Sequence, residues 1–291
     1  MYMYKISRSK CILVAFFLAT INSSLLAAPA ADNNKPLIMG VFPIVTSGVL
    51  FKRFGPLKDY LAKQLGQDIV LQTARDFPTF VQRTAEGRYD IVITAPHFSL
   101  LAADSGDYRI VARPKRNLES LLVVDKNSEI NNISQLSGKL IATPPKPALT
   151  TRSGKHHLES MGLAGENSPS YRAYKTHNAA YQAVIGHDAA AAIVSNNILN
   201  KALKKGVPLR IIDMLPPLPA MATLVATNLN EKFATDVEKV LVTMTESGQG
   251  LAVLKKVGFP GYLSAGVDDY EIVRPYKPAS AMIGKNKKIK K

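Results

Sequence analysis

The chain has a single cysteine, Cys11, no tryptophan, and far fewer acids than bases: 22 Asp and Glu against 37 Lys and Arg in 291 residues. Cys11 opens an apolar run, Cys11 to Leu26, that follows the basic Lys5, Arg8 and Lys10 and leads to Ala28-Pro29-Ala30. That order is a leader with a small-residue cleavage site, cut after Ala30 or Ala28. Once it is removed no cysteine remains, which excludes disulfides, a thiol nucleophile and a cysteine metal site. No later apolar stretch approaches the length that spans a bilayer. The chain also lacks G-x-S-x-G, H-E-x-x-H and P-loop patterns, so the common signatures of serine hydrolases, zinc peptidases and nucleotide-binding loops are missing. His156 and His157 are adjacent, so they point to different faces of a helix and make a poor joint metal site. No enzyme activity, metal or cofactor is expected.

The surplus of positive charge is concentrated at the ends. Setting aside the leader's three basic residues and five lysines in Gly284 to Lys291 leaves about +7 of the formal +15. A mildly basic body suits an anionic ligand. No basic stripe with interleaved aromatics marks a nucleic-acid surface. Residues 279–291 read as a basic, solvated tail.

Between these ends, strand and helix patterns alternate. Apolar runs at Leu37–Phe42, Ile69–Thr73 and Asp90–Thr94 read as strands. Phe51, Phe54, Leu57, Leu61 and Leu65 mark one face of a helix over 50–65, and Asp76 can cap a helix running to Gly87. The pattern resumes after Asp125 with strands at Lys139–Thr143, Tyr171–Lys175 and Ala190–Ser195. Repeated βα units predict an α/β fold with mostly parallel sheets flanked by helices. Two runs of them predict two lobes, residues 36–123 with 221–278 and residues 124–220. The crossings fall at Val123–Asp125 and Pro216–Ala222. Ligands of such sheets sit at the carboxyl ends of strands. Phe42-Pro43, Thr94 to His97, Thr143 to Gly154 and Ser195 to Asn197 all fall there, facing one cleft.

The most informative of these stretches is Thr143-Pro-Pro-Lys-Pro-Ala-Leu-Thr-Thr-Arg-Ser-Gly154. A proline-stiffened loop ends in hydroxyl residues, and a helical pattern starts behind Gly154. Hydroxyls at a helix start can cap its free N–H groups, and the same groups with the helix dipole can hold an oxyanion. The loop taken alone fits either role.

Gly40-Val-Phe-Pro43, Phe54 to Gly66, Gly87-Arg-Tyr-Asp-Ile-Val-Ile-Thr-Ala-Pro-His97, Leu136 to Lys139, Thr150 to Gly154 and Thr176 to Val184 occur in an order and spacing with a familiar counterpart. The chain resembles the phosphate, phosphite and phosphonate-type periplasmic substrate-binding proteins of ABC importers, over roughly Pro36 to Tyr270. The resemblance implies the two-lobed type II periplasmic-binding-protein fold. It implies a monomer that captures a small anion between its lobes and passes it to a membrane permease. A membrane sensor is the alternative partner, and a periplasmic hydrolase the remaining alternative. It also implies ligand contacts by Thr150, Thr151, Ser153 and Gly154 and by His177 at the next helix start. His97, Phe77, Ser99 and Asn196 complete the expected set. Arg152 departs from the family pattern by standing where a hydroxyl is usual, and in Gly186-His-Asp-Ala-Ala190 the acid that an aminoalkyl ligand requires is shifted or missing.

Overall fold

The computed structural model describes Met1 and residues 35–277; the leader and the lysine-rich tail lie outside the described residues. A compact unit starts at Pro36. It opens with β1 (Leu37–Val41), α1 (Ser47–Leu65), β2 (Ile69–Gln72), α2 (Phe77–Ala85), β3 (Ile91–Thr94), α3 (Pro96–Asp104) and β4 (Tyr108–Pro114). The short β5 (Asn117–Leu118) leads into β6 (Ser120–Asp125), β7 (Leu140–Thr143), α4 (Leu149–Ser160), β8 (Ser170–Ala173), α5 (His177–Ile185), β9 (Ala191–Ser195), α6 (Asn196–Leu203) and β10 (Leu209–Met214). The chain returns through β11 (Leu218–Pro219) to β12 (Ala222–Ala226), α7 (Glu231–Val242), α8 (Gly248–Val257), β13 (Tyr262–Ser264) and a 3-10 strap, Asp268–Tyr276.

Two large sheets result, ordered β13-β4-β12-β3-β1-β2 and β10-β6-β9-β7-β8, with β11 and β5 forming a third, two-stranded one. Apolar residues alternate between their faces as the pleat requires. Ile91 and Ile93 point to the core under α1, α7 and α8, while Val92 joins the core under α2, α3 and the strap. In the second sheet Leu121 and Val123 face α5 and α6, and Leu122 and Val124 face α4. Each large sheet is therefore covered on both sides, as continuous apolar strands demand.

Parallel pairing is confined to the βα units, β2-β1-β3 and β8-β7-β9. β12, β4, β13, β6 and β10 join antiparallel, so the sheets are mixed rather than mostly parallel. The physical reason is the route: β6 and β12 enter each sheet from the other one, with no crossover helix to turn them parallel. The first crossing also differs from expectation. Val123–Asp125 lies inside β6, and the chain changes sheet between Pro114 and Ser120. The return runs between Met214 and Ala222, and β5 and β11 pair antiparallel where the two segments pass.

In α1 the buried face is Leu50, Phe54, Leu57, Tyr60 and Leu61, and Phe51 is 44% exposed. Leu50 lies in register with Phe54 and Leu57, four and seven residues on, so Phe51 is turned outward. The stretch after Gly258 is more than loop. β13 pairs with β4, and the strap buries Tyr270 and Val273 in the first sheet's core. Among the described residues no helix is long and apolar enough to cross a membrane.

Candidate functional site

The proline-rich turn after β7 starts α4 at Leu149, six residues before the sequence pattern places it. Ala148, not a hydroxyl residue, is the N-cap and makes no side-chain cap. Thr151 and Arg152 donate their N–H groups to the Ala148 carbonyl, each at 3.1 Å, and Ala148 N–H donates to Pro145 at 2.9 Å. The first-turn N–H groups without a partner among the described residues are those of Leu149 and Thr150. Gly154 lies more than a turn inside the helix, where its N–H bonds within the helix. Its lack of a side chain serves packing instead. A Cβ there would lie 2.5 Å from Ile193 Cδ1, so Gly154 lets α4 lie close on β9.

Thr150, Thr151 and Ser153 are all buried. The Thr151 hydroxyl donates to the Pro144 carbonyl at 3.0 Å, and Ser153 Oγ reaches the Thr150 carbonyl at 3.4 Å. Thr150 is the one of the three whose hydroxyl has no partner among the described residues.

His177 opens α5 behind Thr176, which caps the helix by accepting from Ala179 N–H at 3.0 Å. Its Nδ1 accepts from Ser195 N–H at 3.3 Å. A main-chain N–H can only donate, so Nδ1 carries a lone pair and the neutral ring holds its proton on Nε2. Burial drives its pKa down to about 4, in keeping with a neutral ring. α5 follows β8, Ser195 ends β9, and β7 lies between those strands. The ring is thereby anchored at the end of β9. Asn196 faces the crossing segment: its N–H donates to the Glu119 carbonyl at 2.9 Å and its side-chain amide to the Glu119 carboxylate.

The first sheet contributes rings. Phe42, at the end of β1, lies 4.3 Å from Phe77 and 5.3 Å from Phe98 between centroids, and Phe98 lies 4.0 Å from His97. Leu149, from the first turn of α4, is buried in the same apolar cluster. His97 Nε2 donates to the Pro147 carbonyl at 2.8 Å, across the junction between the sheets. Its Nδ1 is buried without a partner, which is compatible only with a lone pair there. Burial lowers its pKa to about 4 against the opposing effect of the Pro147 bond, and the nearby Arg152 charge pushes the same way as burial. Ser99 spends its hydroxyl on the Pro96 carbonyl of its own helix at 2.7 Å.

The structure thus gathers His97, Phe77 and the turn before Thr150 at one junction, while His177 is anchored to the end of β9 through Ser195. It directs Ser99 into α3, Gly154 onto the sheet and Asn196 toward Glu119. Sequence reasoning missed Leu149 and Phe98. The 3.6-residue spacing of Leu149 with Ser153 and of Phe98 with Leu101 and Ala102 was the signal for both.

Residues 39–270 match the family described as ABC transporter, phosphonate, periplasmic substrate-binding protein. Among solved structures, PhnD1 of Prochlorococcus marinus in complex with methylphosphonate superposes with a TM-score of 0.73 at 17% identity, covering 83% of this chain and 97% of that one. A Xanthomonas citri protein solved with ATP gives 0.71 at 17% identity over 85% and 96%. The binding-protein component of an ABC phosphonate transporter from Pseudomonas aeruginosa gives 0.70 at 14% identity over 84% and 86%. At these identities the structures establish the two-lobed type II binding-protein fold.

Proposed function

The chain belongs to the periplasmic substrate-binding proteins of phosphonate ABC transporters, and on that premise we propose that it captures an oxyanion bearing a small apolar group. The headgroup sits against the free N–H groups of Leu149 and Thr150, the Thr150 hydroxyl and Nε2–H of His177. The observation that carries this reading is the Ser195 N–H bond to His177 Nδ1, which leaves a neutral ring with its one donor uncommitted. Helix N–H groups and a neutral donor suit a phosphonate or phosphite, with charge supplied by the ligand.

Phe42, Phe77, Phe98 and Leu149 supply the apolar side. Glu119 is engaged by the Asn196 amide and so is not offered to a ligand amine. The leader at residues 1–30 directs export, and the lobes hinge about the β5–β11 crossing as they close on the ligand. A ligand at 100 times its Kd raises stability by about 2.7 kcal/mol. Thermal shift against methylphosphonate, phosphite, phosphate, sulfate and 2-aminoethylphosphonate should rank the first two above the last. A preference for the aminoalkyl compound would overturn the apolar assignment, and no shift with any of the five would overturn the site.

A further inference from the structure

Arg152 stands in the first turn of α4, between Thr151 and Ser153, yet its guanidinium is directed out of the second sheet's lobe. Nε donates to the Tyr276 carbonyl at 2.6 Å and Nη2 to the Lys277 carbonyl at 3.3 Å. One turn further along α4, the His156 ring meets the Tyr276 ring edge to face, with centroids 5.5 Å apart.

The strap that receives these contacts is fixed to the other lobe. Tyr270 is fully buried in the first sheet's core and its hydroxyl donates to the Ala220 carbonyl at 3.1 Å. Arg274 pairs with Asp104 of α3 at 3.0 Å, and Lys277 pairs with the same carboxylate. Arg113 of β4 approaches Asp269 at 3.9 Å. A pull on Arg152 is therefore transmitted through the strap to α3, whose first turn carries His97. His97 in turn bonds Pro147, five residues before Arg152. The turn that leads into α4 is thus gripped from both sides of its oxyanion-facing residues by groups of the opposite lobe.

Resting on the oxyanion reading above, we propose that Arg152 is a positioning residue for capture: by clasping the carbonyls of Tyr276 and Lys277 it holds α4 against the first lobe, so affinity depends on the strap. The physical logic is that of a population. An apparent Kd equals the intrinsic one divided by the fraction of molecules in the binding-competent arrangement. Carbonyls accept a planar fork from Arg in a way a lysine ammonium cannot reproduce. Two charge-assisted bonds can bias a closing equilibrium by a factor of ten or more.

The test uses dyes on Gln64→Cys and Glu166→Cys, exposed positions of opposite lobes, in a chain with Cys11→Ser. Energy transfer then reports lobe separation with nothing added, and calorimetry with methylphosphonate reports affinity. Arg152→Ala should shift the ligand-free distribution toward longer distances and weaken binding about 10- to 100-fold. Arg152→Lys should recover only a minor part of both. Asp104→Asn, which frees the strap from α3, should act in the same direction and add little on top of Arg152→Ala.

An unchanged distance distribution in Arg152→Ala overturns the clasp, whatever happens to affinity. So does full recovery by Arg152→Lys, which would mean that Arg152 acts on the ligand as a charge. His177→Asn separates the two readings, since it should weaken binding and leave the ligand-free distances alone. If the wild-type chain binds none of the five anions, the site reading falls while the distance shift still decides the clasp.

Discussion

Replacing His177 tests how the ring works as well as whether it works. In the wild type Nδ1 is committed to Ser195 N–H, so Nε2–H is the donor. A hydrogen bond to a charged headgroup contributes about 1.5–3 kcal/mol, and each 1.4 kcal/mol is tenfold in Kd, so His177→Asn, whose amide ends short of Nε2, should weaken methylphosphonate binding roughly 10- to 150-fold. His177→Phe should do the same and also leave Ser195 N–H without its acceptor, at a cost of about 1–3 kcal/mol in stability. Asparagine can still accept that bond, so the two variants should match in affinity and differ in urea midpoint.

The pH dependence supplies the sharper reading. The ligand's own ionisation cancels in the ratio of wild-type to His177→Asn affinity. With a ring whose pKa is pushed down to about 4, the ratio should be flat from pH 6 to 8. It should fall only as the pH drops toward 4, where Nδ1 takes a proton and the Ser195 bond is lost. Isothermal calorimetry at four pH values measures this. A ratio that falls between pH 6 and 8 would mean a cationic donor and refute the tautomer argument. Equal affinities for wild type and His177→Phe would remove the ring from the site.

Two further outcomes test the frame around the site. Gly154→Ala should lower Tm by a few degrees, because about 1–3 kcal/mol of overpacking against Ile193 exceeds the roughly 1 kcal/mol gained in helix propensity; Ile193→Val in the same chain should restore part of the loss, and a raised Tm refutes the close approach. For His97 the folded pKa of about 4 lies below the ordinary value of 6.5, so the unfolded chain takes the proton first as pH falls. Its share of stability should be complete above pH 6.5 and decline by up to roughly 3 kcal/mol on the way to pH 4. Urea titrations of wild type and His97→Asn at pH 7 and 4.5 check this, and equal slopes with pH would refute it.

Much of the fold was legible because its signals are local. Alternating apolar runs and 3.6-residue spacings predicted the βα units, and Asp76 caps α2 through Thr79 N–H at 2.8 Å as its position suggests. What the pattern misplaced depends on partners distant in sequence. Leu121 to Val124 reads as a strand wherever it goes, and only its pairing with β9 and β10 assigns it to the second sheet. The antiparallel insertion of β12 between β3 and β4 is likewise set by the return crossing rather than by any residue in it. Phe51 and Leu50 are equally apolar, and the positions of Phe54 and Leu57 decide between them.

At the site, residue types were legible and their hydrogen-bond commitments were not. Thr150, Thr151, Ser153, Ser99 and Asn196 look alike as potential donors, yet all but Thr150 spend a group on this chain's own carbonyls or carboxylates. A main-chain carbonyl has no side-chain signature, so a sequence cannot announce that Pro144 or Pro147 will accept a side-chain hydrogen bond. Arg152 is the extreme case. Its partners are carbonyls 124 and 125 residues away, and beside Thr151 and Ser153 it reads as a charge for the ligand. Where an arginine in an anion loop finds fixed carbonyls on the opposite lobe, its charge serves closure before it serves capture. On the proposed clasp, the departure of this loop from its family pattern changes how tightly the cleft shuts, while Leu149, Thr150 and His177 remain the donors proposed for the oxyanion.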